Sequence, residues 1–166
     1  MLDWSMEQTS YPVAIKLPGG PMISDGSRVT KDFGRLNRYE VAQTGEKIAI
    51  IGLGTFFGLA KEAAKLLKKE EAGINATVIN PYYITGLDEA LLTKLKQNHD
   101  TVITLEDGIL DGGFGEKIAR FYGASNMKVM NYGLKKEFLD RYDVDAVLKE
   151  NHLTAEQIAE DVLSIL

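Results

Sequence analysis

The sequence predicts an α/β fold: a three-layer domain with a mostly parallel sheet of about five strands, preceded by an extended amino-terminal arm. Three observations predict it. After Gly45, short apolar runs alternate with longer segments of helical periodicity, the order that builds a parallel sheet covered by helices. The first of those runs, Ile48-Ala49-Ile50-Ile51, is apolar on both faces, as a strand buried from two sides requires. Ahead of it, Gly19, Gly20, Pro21, Gly26 and Gly34 fall in a stretch with few large apolar side chains, the composition of a linker.

Taken in order, Leu2 to Gln8 has one or two helical turns, and Pro12 to Leu17 alternates Val13, Ile15 and Leu17 like a strand. Neither makes a domain, so residues 1–20 read as a remnant, 21–37 as a linker and 38–166 as the α/β domain. Arg38 to Ala42 is expected to pair beside the strand Lys47 to Ile51. A helix from about Phe57 to Lys69 follows, with Leu59, Ala63, Leu66 and Leu67 on one stripe, and Gly73 ends it. Then come a strand Ala76 to Asn80, a helix from Asp88, and a strand Thr101 to Leu105. A glycine-rich segment, Asp111-Gly112-Gly113-Phe114-Gly115, leads into a helix bearing Ile118, Ala119 and Phe121 that Gly123 stops. Met127 to Tyr132 is a strand, and Asp143 to Lys149 and Ala155 to Leu166 are helices. Thr154 and Gln157 have capping-box spacing at the start of the last one.

Composition narrows the function classes. The 166 residues carry a net charge of -5 with no basic run, so nucleic acid is not an expected partner. Without cysteine there are no disulfides, thiolate metal sites or thiol nucleophiles. No apolar stretch approaches the roughly 20 residues that span a bilayer, and the amino terminus lacks a secretory pattern, so a cytoplasmic protein without membrane contact is expected.

Two loops carry candidate chemistry. Gly52-Leu53-Gly54-Thr55-Phe56-Phe57-Gly58 lies between strand and helix, where amides and the helix dipole hold anions. Its glycine spacing departs from the dinucleotide fingerprint, which leaves a nucleotide site or a tight strand-to-helix turn. At the second loop, Glu106, Asp107 and Asp111 precede the glycines, at the carboxyl end of a central strand. These acids suit either a hard cation such as Mg²⁺, with substrate phosphate completing its shell, or a glycine turn edged by solvated carboxylates. His99 and His152 each stand near a helix end, where a capping role competes with a catalytic one.

The order of Glu7-Gln8-Thr9, Pro12-Val13-Ala14-Ile15-Lys16, Gly45-Glu46-Lys47-Ile48-Ala49-Ile50 and Ala76-Thr77-Val78-Ile79-Asn80 resembles the end of the 1-deoxy-D-xylulose-5-phosphate synthases. Leu105-Glu106-Asp107-Gly108, Gly112-Gly113-Phe114-Gly115 and Leu153-Thr154-Ala155-Glu156-Gln157-Ile158 continue the resemblance over essentially the whole chain. Single pieces are also similar to transketolases and to the beta subunits of 2-oxoacid dehydrogenases.

The resemblance implies that residues 1–20 are the last helix and strand of a pyrimidine-binding domain, followed by a linker and a transketolase-type carboxy-terminal domain. It implies a parent transferase that uses thiamine diphosphate and Mg²⁺ in isoprenoid-precursor and thiamine biosynthesis. No cofactor-binding, catalytic or metal residue of that enzyme is expected in this chain, which would not be catalytic alone. Its partners would be the pyrimidine- and diphosphate-binding domains of the same enzyme, in a homodimer. In the synthases an arginine that binds substrate phosphate follows the proline equivalent to Pro18; here Gly19 stands there, and Lys16 is the candidate phosphate contact. That change leaves room for a transketolase-like paralogue, as a domain or separate subunit, with another substrate. An independent nucleotide-binding domain is the other alternative. The candidate contact surface is the glycine loop with Glu106, Gly112, Gly113, Phe114 and Gly115.

Overall fold

The computed structural model describes residues 1–17, 32–69 and 73–166, and separates them into two compact units, Met1–Leu36 and Asn37–Leu166. In the first unit, α1 (Leu2–Met6) buries none of its residues. The Trp4 and Phe33 rings lie 6.4 Å apart in a tilted arrangement. Val13, Ile15 and Leu17 belong to no strand among the described residues, contrary to their alternating pattern. A strand exists only with a hydrogen-bonded neighbour, and alternation alone does not provide one.

The second unit contains one sheet, in the order β1-β3-β2-β4-β5. Its strands are β1 (Glu40–Gln43), β2 (Lys47–Gly52), β3 (Thr77–Asn80), β4 (His99–Ile109) and β5 (Lys128–Leu134). Pairs β2/β3, β2/β4 and β4/β5 are parallel, with Ile50 opposite Val78 and Ile103. The edge strand β1 runs antiparallel to β3, with Val41 opposite Ile79. It therefore does not pair with β2, as the sequence suggested. The reason is positional: β3 and β4 flank β2 on both sides, so β1 takes the edge beyond β3 instead.

Helices α2 (Phe56–Lys69), α3 (Glu89–Leu95), α4 (Phe114–Tyr122), α5 (Val144–Glu150) and α6 (Ala155–Ser164) complete the unit. Strand alternation sorts the core into two layers. Ile48 and Ile50 pack with Ala60, Ala63 and Leu67 of α2 and Ile158 and Val162 of α6. Ala49 and Ile51 face the other way, into Leu92 and Leu95 of α3 and Phe114, Ile118 and Tyr122 of α4. Met130 and Met127 pad opposite layers.

Local chemistry sets the helix ends. Asp88 caps α3 through the Leu91 amide, Asp143 caps α5 through the Ala146 amide, and Thr154 caps α6 through the Gln157 amide. The Gln157 side chain reaches the Lys149 carbonyl at 3.0 Å and thereby fixes the α5–α6 corner. Among the described residues, no helix is long and apolar enough to cross a membrane.

Candidate functional site

Parallel strands β2, β3, β4 and β5 all end on the same edge of the sheet, so their carboxyl-end loops gather there, where open α/β sheets place their sites. Both glycine loops belong to this edge. The Phe56, Phe57, Gly58, Phe114 and Gly115 amides at the helix starts, however, are already engaged.

The glycine segment 111–115 forms around Glu106. This side chain is 3% exposed, and its carboxylate accepts from the Phe114 and Gly115 amides at 2.8 Å each. Two amides at the start of α4, aligned with the positive end of its dipole, thus hold a buried negative charge in place. A Cβ on Gly113 would sit 2.6 Å from both Glu106 oxygens. One on Gly115 would sit 2.6 Å from Thr104 Oγ1 and 2.8 Å from the Asn131 side chain. Both glycines are therefore demanded by the approach of loop to strand. Thr104 Oγ1 donates to Asn131 Oδ1 at 2.8 Å just beneath. Phe114 and Gly115 are buried within the domain, and Asp111 and Gly112 are the loop residues that face solvent.

The Gly52–Gly58 loop is closed in the same spirit. Amides of Phe56, Phe57 and Gly58 donate to the carbonyls of Leu53, Gly54 and Thr55 at 3.2, 3.2 and 3.3 Å. A Cβ on Gly52 would lie 2.6 Å from the Phe56 carbonyl oxygen, so this residue lets α2 pass close over β2. Of the two sequence readings for this loop, the tight strand-to-helix turn is the one this geometry supports. Thr55 Oγ1 donates to Asp107 at 3.5 Å and links the two loops.

The acids proposed for a cation do not assemble. Glu106 is consumed by amides, Asp107 turns toward Thr55, and no group of three metal-ligating side chains occurs among the described residues. The donor set therefore does not fit Mg²⁺, and the helix-start amides do not fit a diphosphate.

The histidines have structural partners. His99 opens β4, where Leu95 O accepts from Nδ1 at 3.1 Å and Thr77 Oγ1 lies 2.8 Å from Nε2. Because a carbonyl only accepts, the Nδ1–H tautomer holds, and Thr77 donates its proton to Nε2 while accepting from the Gly45 amide at 2.9 Å. Burial pushes this imidazole below its ordinary value, against the raising effects of the Leu95 contact, Asp100 and Glu46. His152, in a left-handed conformation with φ of 56°, donates from Nδ1 to Asp161 at 3.1 Å. Tyr132 donates to the same Asp161 oxygen at 3.1 Å, and burial raises its phenol, reinforced by that carboxylate.

Sequence reasoning missed a further cluster. Asp88 accepts from Arg38 Nη1 at 2.9 Å and from the Tyr39 amide at 3.1 Å while capping α3. Tyr39 donates to the Gly86 carbonyl at 3.1 Å, and burial raises its phenol. Tyr82 donates to Glu40 at the same end of the sheet, its phenol also raised, first by burial and then by Glu40. Lys16 is exposed in the first unit, and Gly19 lies outside the described residues.

The family pattern described as "Transketolase, C-terminal domain" matches residues 37–158. The 1-deoxy-D-xylulose-5-phosphate synthase of Clostridium tetani is 33% identical over 168 residues, covering 100% of this chain and 26% of the synthase. That of Symbiobacterium thermophilum is 34% identical over 157 residues, covering 93% and 24%. The chain thus spans about a quarter of the length of these curated relatives. A split-gene transketolase, solved as an inactive beta4 tetramer, superposes with a TM-score of 0.69 at 27% identity, over 77% of this chain and 42% of that one. A transketolase from Pichia stipitis shares the fold at TM-score 0.52 and 21% identity, over 76% and 17%.

Proposed function

We propose, from the premise that this chain belongs to the transketolase carboxy-terminal domain family, that it is the bracing and assembly domain of a thiamine-diphosphate-dependent ketol transferase resembling 1-deoxy-D-xylulose-5-phosphate synthase. Its relatives are domains of larger multi-domain enzymes. The parent is a cytoplasmic homodimer in which the pyrimidine- and diphosphate-binding domains carry cofactor and chemistry. Residues 1–20 are the end of the pyrimidine-binding domain, 21–37 the linker and 38–166 the domain proper.

One observation carries the reading: the Glu106 carboxylate is spent on the Phe114 and Gly115 amides, so the most site-like loop is shaped by an internal contact. A rigid loop of that kind serves packing. The contact surface is then the outer side of the loop, Gly112 with its neighbours, while Glu106, Phe114 and Gly115 set its shape from beneath. A solved neighbour whose printed description is a beta4 tetramer supports assembly between copies. Lys16 is the candidate contact for a substrate phosphate in the parent. It acts there as a point charge, because Gly19 supplies no guanidinium.

Calorimetric titration of the chain with thiamine diphosphate and Mg²⁺ tests the assignment. No heat of binding is expected. Tight, saturable binding would place cofactor chemistry inside these residues and overturn it.

A further inference from the structure

Aspartate followed directly by glycine occurs at three places, Asp25-Gly26, Asp107-Gly108 and Asp111-Gly112. The first lies outside the described residues. Such a pair is chemically exposed because glycine has no Cβ to screen its amide nitrogen, which can attack the side-chain carboxyl carbon of the residue before it. The attack asks three things of the fold: a carboxyl group that no hydrogen bond holds, an amide equally free, and a peptide unit able to rotate.

The two described pairs meet these requirements differently. Asp111 and Gly112 are exposed and form the centre of a turn, which the Gly113 amide closes by donating to the Leu110 carbonyl at 2.9 Å. Gly112 has a φ of 73°, the left-handed value of the second central residue in a type II turn. Among the described residues, no hydrogen bond or ion pair engages the Asp111 carboxylate or the Gly112 amide. A Cβ on Gly112 would meet nothing within 4 Å, so the space around this peptide unit is open. Type I and type II turns differ by a flip of that central unit, which therefore rotates while the Leu110–Gly113 bond stays in place.

Asp107-Gly108 instead lies within β4, between the cross-strand pairs Leu105–Tyr132 and Ile109–Leu134. Both residues are half-buried, and Asp107 accepts from Thr55 Oγ1 at 3.5 Å. Rotation of its peptide unit is opposed by the ladder on either side.

We propose that Asp111 is a site of spontaneous backbone rearrangement in the folded protein, converting to isoaspartate through a cyclic imide. The Gly112 nitrogen gives up its proton and bonds to Asp111 Cγ, and the hydroxyl oxygen of the carboxyl group leaves with that proton as water. Water then reopens the imide. Addition at Cγ restores aspartate, whereas addition at the main-chain carbonyl carbon of Asp111 leaves the chain running through Cγ. The water released is regained, and nothing is oxidised or reduced. The product has an additional methylene in its main chain and carries the free carboxylate directly on Cα. Because the Phe114 and Gly115 amides that hold Glu106 follow this turn closely, the lengthened chain loosens that clamp. The chemistry does not depend on the assembly role proposed for the loop.

Peptide mapping of the 166-residue chain, held folded at neutral pH, tests the proposal, with electron-transfer fragmentation to tell isoaspartate from aspartate. Isoaspartate is expected to accumulate at Asp111 at least about tenfold faster than at Asp107, because an exposed turn opens far more readily than a paired strand. In urea the two rates should converge, since only the fold separates the two pairs. Asp111→Glu should remove the product at this position while keeping the charge, and leave the rate at Asp107 unchanged. Chain enriched in isoaspartate at position 111 should exchange hydrogen faster at the Phe114 and Gly115 amides than fresh chain. Equal rates at the two aspartates in the folded chain, or product at Asp111 confined to urea, overturns the assignment. Unchanged exchange in the enriched chain overturns the loosening of the clamp.

Discussion

Removing the Glu106 carboxylate tests the proposed logic of the glycine loop. In Glu106→Ala, the Phe114 and Gly115 amides lose acceptors at 2.8 Å and remain in a position that is 3% exposed, with little water to replace them. Each charge-assisted bond is worth about 1.5–3 kcal/mol, and a stranded buried donor forfeits a similar amount. The negative charge at the start of α4 adds about 0.3–1 kcal/mol through the helix dipole. Because the two bonds share one carboxylate they are not independent, and a loss of about 3–5 kcal/mol is expected. For a chain of this size that lowers the melting midpoint by roughly 10 °C. Glu106→Gln keeps one acceptor oxygen but turns an amide donor toward the second backbone N–H, so it should lose about half as much. Urea unfolding followed by circular dichroism measures both. Hydrogen exchange at the Phe114 and Gly115 amides should accelerate in step. Mg²⁺ should leave the midpoint of the unsubstituted 166-residue chain where it is, because the carboxylate is already engaged. A Glu106→Ala loss below about 1 kcal/mol, or a midpoint raised by Mg²⁺, refutes the internal-clamp account.

Two further outcomes follow from other parts of the domain. His99 is kept neutral by burial below its ordinary value of 6.5, so the unfolded chain takes up a proton that the folded one refuses. Its contribution to stability is complete above pH 6.5 and is lost as pH falls through the depressed folded value. Urea midpoints measured across that range should therefore drop on acidification, and less steeply in His99→Gln. The same substitution at two glycines should act in opposite directions. Gly115→Ala forces a methyl against Thr104 and Asn131 and should cost about 1–3 kcal/mol, whereas Gly58→Ala enters open space on a helix and should stabilise by about 0.5–1 kcal/mol. Thermal melts read both signs.

The layered fold was legible because β2, with apolar residues on both faces, and α2, with a single apolar stripe, obey periods that sequence displays directly. What escaped the sequence depended on partners remote along the chain. Arg38 and Tyr39 meet Asp88 about half a hundred residues later, at separations of 50 and 49, and no local pattern marks that meeting. Strand β4 continues through Glu106-Asp107-Gly108, which reads as a loop because an acid and a glycine break the apolar run. The acid is tolerated there because its amide partners arrive eight and nine residues downstream, from α4. His152 is similar: its place after α5 was visible, but its pairing with Asp161 on α6 needed the corner to fold. The strand expected at Pro12 to Leu17 is absent for the opposite reason, since a local pattern without a partner yields no ladder.

The Asp88 cluster also has a mechanical meaning. Any load arriving from the amino-terminal side enters the sheet at its antiparallel margin, where only a short strand faces β3. The salt link and amide bond at Arg38 and Tyr39 divert that pull into the head of α3 before it reaches β1. A tug from a neighbouring body is thus received by an anchored post, and the parallel strands behind it keep their alignment.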